Sequence, residues 1–304
     1  MLSICVPVYN FDIGKLIADL SIQINNNKIE AEIILIDDAS GDEFRQTNIA
    51  HSEKYGIRYI QLAKNIGRSA IRNLFLKYCV NDYLLFLDCD SELTNDKFIE
   101  NYIRQISNGH KLICGGRSYD NGLTKKTHAL RKKYGIARES VSANRRNISP
   151  YKSFMTNNFV VHKKVLSKIR FDERLTQYGH EDTLFGYRLK QHGIAIMHIN
   201  NPVLHDYNES NLEFLKKTEA GLKSLAKIHM FINDKNFDKE LKILRVYTKV
   251  EQLRMTFLCK ASYRVLASFI RRLISINIGG LFLLDIYKLL FLCGQIKYLQ
   301  KTKQ

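Results

Sequence analysis

Along the first third of the chain, short apolar runs alternate with stretches in which apolar residues recur every three or four positions. The runs fall at residues 2–8, 31–36, 58–62 and 83–87, and each predicts a strand. Between them, Ile13, Leu16, Ile17, Leu20 and Ile24 predict a helix over 13–24. Further helices are expected over 41–55, from Arg68 to Cys79 and over 98–106, with a fifth strand at 111–115. Strand alternating with helix is the pattern of a parallel sheet, whose strands are covered on both faces and so stay apolar throughout. The expected fold class is α/β, a mostly parallel sheet flanked by helices.

Such sheets bind ligands beyond the carboxyl ends of their strands. Those ends carry Pro7-Val8-Tyr9-Asn10, Asp37-Asp38-Ala39-Ser40, Asn65-Ile66-Gly67 and Asp88-Cys89-Asp90. The last is the sharpest signal, because it delivers two carboxylates, two residues apart, to one side of the chain. Adjacent carboxylates repel and raise one another's pKa. A divalent cation between them removes that cost, and Mg²⁺ or Mn²⁺ commonly binds one or two carboxylates together with substrate phosphates. A plain strand-to-loop turn is the alternative at this level. Neither G-x-G-x-x-G after the first strand nor G-x-x-x-x-G-K-[ST] occurs, which disfavours dinucleotide-binding and P-loop folds.

With 304 residues, 45% of them hydrophobic, the chain can build one large domain and an appendage. The expected organisation is an α/β domain over 1–215, in halves 1–116 and 117–215, followed by a helical, basic region over 216–304. Six cysteines without a C-x-x-C pair suit buried free thiols in a reducing compartment, and the N-terminus shows no basic leader segment. The net charge of +17 is localised: residues 117–152 hold ten Lys/Arg against two acids, and 245–304 hold eleven against two. The remainder is balanced. Residues 117–152 show little periodicity and are expected to form a basic loop. Order is expected to resume at 154–162, in a helix from Glu181 and in a strand at 194–197.

Five segments taken in order resemble the family 2 glycosyltransferases: Val6-Pro7-Val8-Tyr9-Asn10, Ile36-Asp37-Asp38-Ala39-Ser40, Asn65-x-Gly67-x-x-x-x-Arg72-Asn73, Asp88-x-Asp90 and Gly179-His180-Glu181-Asp182. The resemblance spans roughly residues 1–210. It implies a GT-A fold and inverting, metal-dependent transfer from a nucleotide-sugar donor, a UDP-sugar above all, to a glycan or lipid-linked acceptor. It also implies that Pro7 and Tyr9 line a uracil pocket, that Asn65 lies near the base, and that Asp88 contacts ribose or the metal. By the same resemblance Asp90 ligates Mn²⁺ or Mg²⁺, Asp182 is the general base, and Glu181 is its partner or an acceptor contact. A late histidine completes the metal site in many such enzymes, and His205 stands in that place.

The residue types agree with these roles. Tyr9 offers a flat face for stacking. Asp38 can accept from a base N–H, while Asp37 suits capping of the next segment. Arg68 and Arg72 can neutralise a diphosphate, and Thr156-Asn157-Asn158 offers a hydroxyl and two amides to sugar hydroxyls. Each also has a structural alternative: a core ring for Tyr9, surface helix positions for the arginines, helix capping for Glu181-Asp182, turn formation for the asparagines.

The apolar run 273–296 contains Asp285 and Lys288, and its longest uncharged stretch falls short of the about twenty residues that span a bilayer. Cations on both sides suit a segment lying on an anionic membrane, or one packed on its own domain or on a dimer partner. The 117–152 segment has the charge to hold a pyrophosphate. Together they predict a cytoplasmic protein, peripheral on the cytoplasmic face of the membrane. A nucleic-acid partner is not expected, since the balanced core carries no such motif. A nucleotidyltransferase would share the sheet and the metal but add a glycine-rich loop after the first strand. A non-catalytic nucleotide-sugar binder would not need Glu181 and Asp182.

Overall fold

In the computed structural model, β1 (Leu2–Val8) lies inside a seven-stranded sheet with β2 (Ala31–Asp37), β3 (Arg58–Gln61) and β4 (Tyr83–Leu87). The structure describes residues 2–120, 122, 124–205 and 209–302. The connecting helices α1 (Gly14–Asn26), α2 (Asp42–Tyr55), α3 (Gly67–Tyr78) and α4 (Phe98–Ser107) fall where the periodicity put them. Later strands are β5 (Glu92–Leu93), β6 (Leu112–Cys114), β7 (Arg117–Ser118), β8 (Asn158–His162), β9 (Met197–His198) and β10 (Val203–Leu204). The large sheet has the order β3-β2-β1-β4-β8-β6-β9, and a small one has the order β5-β10-β7. In the large sheet β8 alone is reversed, antiparallel to both β4 and β6.

Both faces of the large sheet are packed. Ile4, Val6, Leu35 and Leu85 meet Leu16, Leu20 and Phe98 on one side. Cys5, Ile34, Ile36 and Phe86 meet Phe75, Phe159, Phe171 and Phe185 on the other. Double coverage is why these strands read as unbroken apolar runs. The sheet admits no side chain at the end of β6: a Cβ on Gly115 would lie 2.2 Å from the Tyr102 hydroxyl and 2.4 Å from the Asn201 carbonyl oxygen. All six cysteines are free thiols, with Cys5 and Cys79 sulfurs 3.3 Å apart in the core.

The chain forms two compact units. The first comprises Met1–Asp120, Glu139–Thr176 and Glu181–Asp206, and the second comprises Asn121–Arg138, Gln177–His180 and Tyr207–Gln304. The second unit is helical: α5 (Ala129–Arg138) belongs to it, whereas α6 (Ala143–Ile148), α7 (Lys163–Lys168) and α8 (Glu181–Gln191) belong to the first. Its other helices are α9 (Asn211–Ile232), α10 (Lys235–Glu240), α11 (Lys242–Gln252), α12 (Thr256–Ser275) and α13 (Gly280–Thr302). A reciprocal capping box between Ser210 and Glu213 starts α9.

Two expectations are corrected, and an alternative left open is narrowed. Residues 117–152 are not a basic loop, since β7, α5 and α6 lie within them. Their arginines are structural partners. Buried Arg146 donates to the carbonyl oxygens of Gly115 (3.0 Å) and Ile199 (2.7 Å) and to Nδ1 of His198 (2.8 Å). Burial, reinforced by the Arg146 charge, holds His198 down at about 4. Arg138 donates to both carboxylate oxygens of Asp285, at 2.8 and 2.6 Å. Next, residues 194–196 are not strand, because the Ile194 N–H still bonds the Leu189 carbonyl (3.0 Å) as the chain leaves α8. Lastly, the apolar run 273–296 is core in part: Leu284, Tyr287, Phe291, Leu292 and Ile296 are buried, whereas Ile276, Ile278, Phe282 and Ile286 are exposed. Among the described residues, no helix is long and apolar enough to cross a membrane.

Candidate active site

The strand ends of the first unit are tied to one another before any ligand arrives. Asn10, at a left-handed φ of +47°, receives the Gly41 N–H on its side-chain oxygen (2.8 Å) and donates its own N–H to the Ser40 hydroxyl (2.9 Å). Asp37 accepts from the Ser40 N–H (2.7 Å) and the Tyr59 hydroxyl (2.6 Å), so it braces the turn before α2 and does not cap the helix, whose N-cap is Gly41. Asp38 is engaged by the next strand's exit. Its two oxygens accept the N–H groups of Ile66 (2.7 Å) and Gly67 (3.1 Å), and Asn65 donates to its carbonyl (3.1 Å). Burial pushes the Asp38 carboxyl up against the pull of those bonds. Asp38 therefore braces the 65–67 turn from inside. Tyr9 is no core ring, being 53% exposed at the end of β1, with half-buried Pro7 two residues earlier.

Beside this rim, arginines sort the acids. Arg72 is buried, not on a helix surface, and its guanidinium donates to Asp88 Oδ1 (2.9 Å) and lies 3.9 Å from Glu181 Oε1. Arg68 reaches the same Glu181 oxygen at 3.5 Å from a more exposed position. Arg117 stands 3.8 Å from the other Asp88 oxygen and 3.2 Å from Glu139, which also accepts from Tyr119. Burial alone would raise the Asp88 carboxyl, but Arg72, Arg68 and Arg117 carry it below the usual range. Asp182 is held the other way: burial and the neighbouring Glu181 charge push it up to about 6, against hydrogen bonds from Thr183. Two adjacent carboxylates at the start of α8 thus have separate environments, the arrangement that lets one act as a proton acceptor near neutral pH.

Asp90 and His205 meet through the small sheet. Antiparallel pairing of Leu204 with Glu92 sets His205 opposite Ser91, next to Asp90. The His205 Nδ1 lies 3.6 Å from Asp90 Oδ1, and its ring packs edge-on against Tyr119 with centroids 6.0 Å apart. A carboxylate and an imidazole so close are donors that would suit Mn²⁺ or Mg²⁺, which would supply positive charge to phosphate oxygens there. Asp88 turns its two oxygens toward Arg72 (2.9 Å) and Arg117 (3.8 Å). Among the described residues, no group of three or more His, Cys, Asp and Glu side chains stands ready to hold a metal ion.

The asparagines divide their work. The Asn158 amide donates to the Gly116 (3.0 Å) and Asn201 (2.8 Å) carbonyls and accepts from Tyr102. Asn157, whose carbonyl accepts the Asp88 N–H (3.1 Å), is buried, and its side-chain amide has no hydrogen-bond partner among the described residues. A buried amide beside Asp88 is in place for a polar ligand. The structure thus gathers Arg68, Arg72, Asp88 and Glu181 in one cluster and Asp90 with His205 in another. Arg117, Glu139 and Tyr119 were not singled out from sequence. The Gly115-Gly116 pair preceding Arg117 marked a close approach at a strand end and was the available signal.

Comparison with known proteins agrees with this arrangement. Residues 3–170 match the model of Glycosyl transferase family 2. A hyaluronan synthase of Pasteurella multocida is 25% identical over 221 residues, covering 62% of this chain but 23% of that protein's length. The solved structure of Staphylococcus aureus TarS 1-349 in complex with UDP superposes with a TM-score of 0.51 at 18% identity, over 99% of this chain and 91% of that one. A mannosyltransferase of Pyrobaculum calidifontis, in complex with GDP-Man and Mn²⁺, gives 0.56 at 11% identity, over 99% and 87%. Identities so low speak for the fold, and the family match, which takes in more than half the chain and four of the five rim segments, goes further. The chain belongs to glycosyl transferase family 2.

Proposed function

We propose that the chain transfers a sugar, with inversion, from a UDP-sugar to a hydroxyl of a glycan or lipid-linked acceptor in the synthesis of a surface polysaccharide. The observation that carries this reading is Arg72, which joins Asp88 on the donor side to Glu181 on the base side. Tyr9 and Pro7 line the base pocket, Asp38 holds Asn65 in place there, and Asp88 faces the ribose. The Asn157 amide bonds the donor sugar. Arg68 and Arg72 balance the diphosphate, while Arg72 and Arg68 also keep Glu181 paired beside Asp182. Ionised at neutral pH, Asp182 takes the proton of the acceptor hydroxyl as the new glycosidic bond forms. Asp90 and His205 would hold Mn²⁺ or Mg²⁺, which when bound neutralises charge on the departing diphosphate. The UDP complex of TarS and the polysaccharide product of the hyaluronan synthase support the donor and the acceptor class. The reading is tested by thermal melting with UDP-sugars, GDP-mannose and Mn²⁺. Stabilisation by a UDP-sugar that grows with Mn²⁺ is expected, and no shift with any nucleotide sugar overturns it.

A further inference from the structure

The second unit presents an apolar face that its own core leaves uncovered. On α12, Phe257, Val265 and Phe269 are 64%, 78% and 61% exposed, although a helix of a water-soluble unit normally turns such residues inward. They follow one another at spacings of eight and four, so they share one side of the helix, with Leu258 next to them. The turn into α13 continues the pattern with exposed Ile278 and with Phe282 at 75%. By contrast, Ile270 and Ile274 on the opposite side of α12 are buried.

Charge decides what covers this face. From residue 252 to 284 there are five Lys/Arg and no Asp or Glu. Arg271 is turned inward to Glu219 and the Tyr287 hydroxyl. Arg264 and Arg272 are exposed and lie on the same side of α12 as the aromatic residues. A second copy meeting this face would bring cation against cation around an apolar centre with no acid to offset them. An anionic bilayer surface accepts apolar rings into its interface and neutralises the surrounding cations. We infer that the exposed face of α12, with the turn into α13, docks on an anionic lipid membrane. The inference stands on the second unit alone and is separate from the transfer chemistry. It also extends the membrane contact expected of the run 273–296 back onto the helix before it, keeping only the exposed start of that run.

Flotation of the full chain with phosphatidylcholine vesicles, with and without about one third phosphatidylglycerol, tests this. Co-flotation with the anionic vesicles, weakened by salt, is expected, with little binding to phosphatidylcholine alone. The double substitution Val265→Glu, Phe269→Glu should lower the bound fraction at least tenfold while keeping the wild-type circular dichroism. If that variant does not fold, Arg264→Gln with Arg272→Gln carries the test and should weaken binding to the anionic vesicles only. Failure of the wild type to float, equal flotation with both vesicle types, or variants that bind like wild type each overturn the inference. So does lipid-free self-association that the glutamate variant abolishes, since a second copy would then be the occupant.

Discussion

The two compact units differ in where some of their arginines lie. In the first, arginines are drawn inward and matched atom for atom: Arg72 to Asp88, Arg117 to Glu139, Arg146 to backbone carbonyls. In the second, part of the surplus stays on the surface, as Arg264 and Arg272 flank exposed rings on α12. A buried guanidinium sets the ionisation of its neighbours and fixes geometry, whereas an exposed one acts on whatever approaches from solution. Net charge alone does not distinguish the two, and burial does.

The largest expected effect lies where charge serves chemistry. Asp182→Asn should lower turnover by about 10²–10⁴-fold, with nucleotide-sugar affinity by calorimetry unchanged. Turnover near wild type would remove Asp182 from the base role. In the wild type the pH profile carries the same information with a definite sign. With the carboxyl raised from 3.8 to about 6, activity should climb as pH rises through about 6, where the base becomes ionised. Its contribution to stability runs the other way. It is fully present below 3.8 and lost as pH rises through about 6, because the folded state holds the proton more tightly. The contribution is read as the difference between wild type and Asp182→Asn, and a difference that does not change as pH passes through about 6 would contradict the raised carboxyl.

Next in size is the bridge itself. Arg72→Met removes the direct partner of half-buried Asp88 and a neighbour of buried Glu181, and should cost about 3–5 kcal/mol in urea unfolding. A loss below about 1 kcal/mol, the scale of exposed pairs, would show that the two units do not differ in the way described. At the small end, Arg264→Gln on α12 should change stability by less than about 0.5 kcal/mol. A larger loss would mean that this cation too is a structural partner.

Much of the first unit was legible because two-sided burial writes itself into sequence as continuous apolar runs, and because ligand-facing residues gather at the strand ends. The 117–152 segment was not legible. Its helices are short and polar around their circumference, and they are held by partners distant in sequence, such as Asn211, whose side chain accepts the Leu130 N–H (2.9 Å). The pairing of Asp90 with His205 was foreseen only through family resemblance, since it depends on a small sheet of two-residue strands that carries no periodic signal. The bonds of Asp38 to the 65–67 turn were not legible for a physical reason: an aspartate at a strand end can face a ligand, brace the next loop or do both, and the neighbouring backbone decides which bonds it makes.

Because β8 runs against its neighbours, its first residues arrive at the rim where β4 ends, and successive side chains there point to opposite faces. Asn158 is fastened to Tyr102, Gly116 and Asn201, leaving Asn157 with an unengaged amide beside Asp88. A slip of one residue in β8 would exchange the two amides, so the core bonds of Asn158 act as a register key for the site. Changes at Tyr102 or Asn201, which touch no ligand in this scheme, should therefore alter how the donor sugar is held. On the role proposed for Asn157, strand alignment would then contribute to selectivity among sugars.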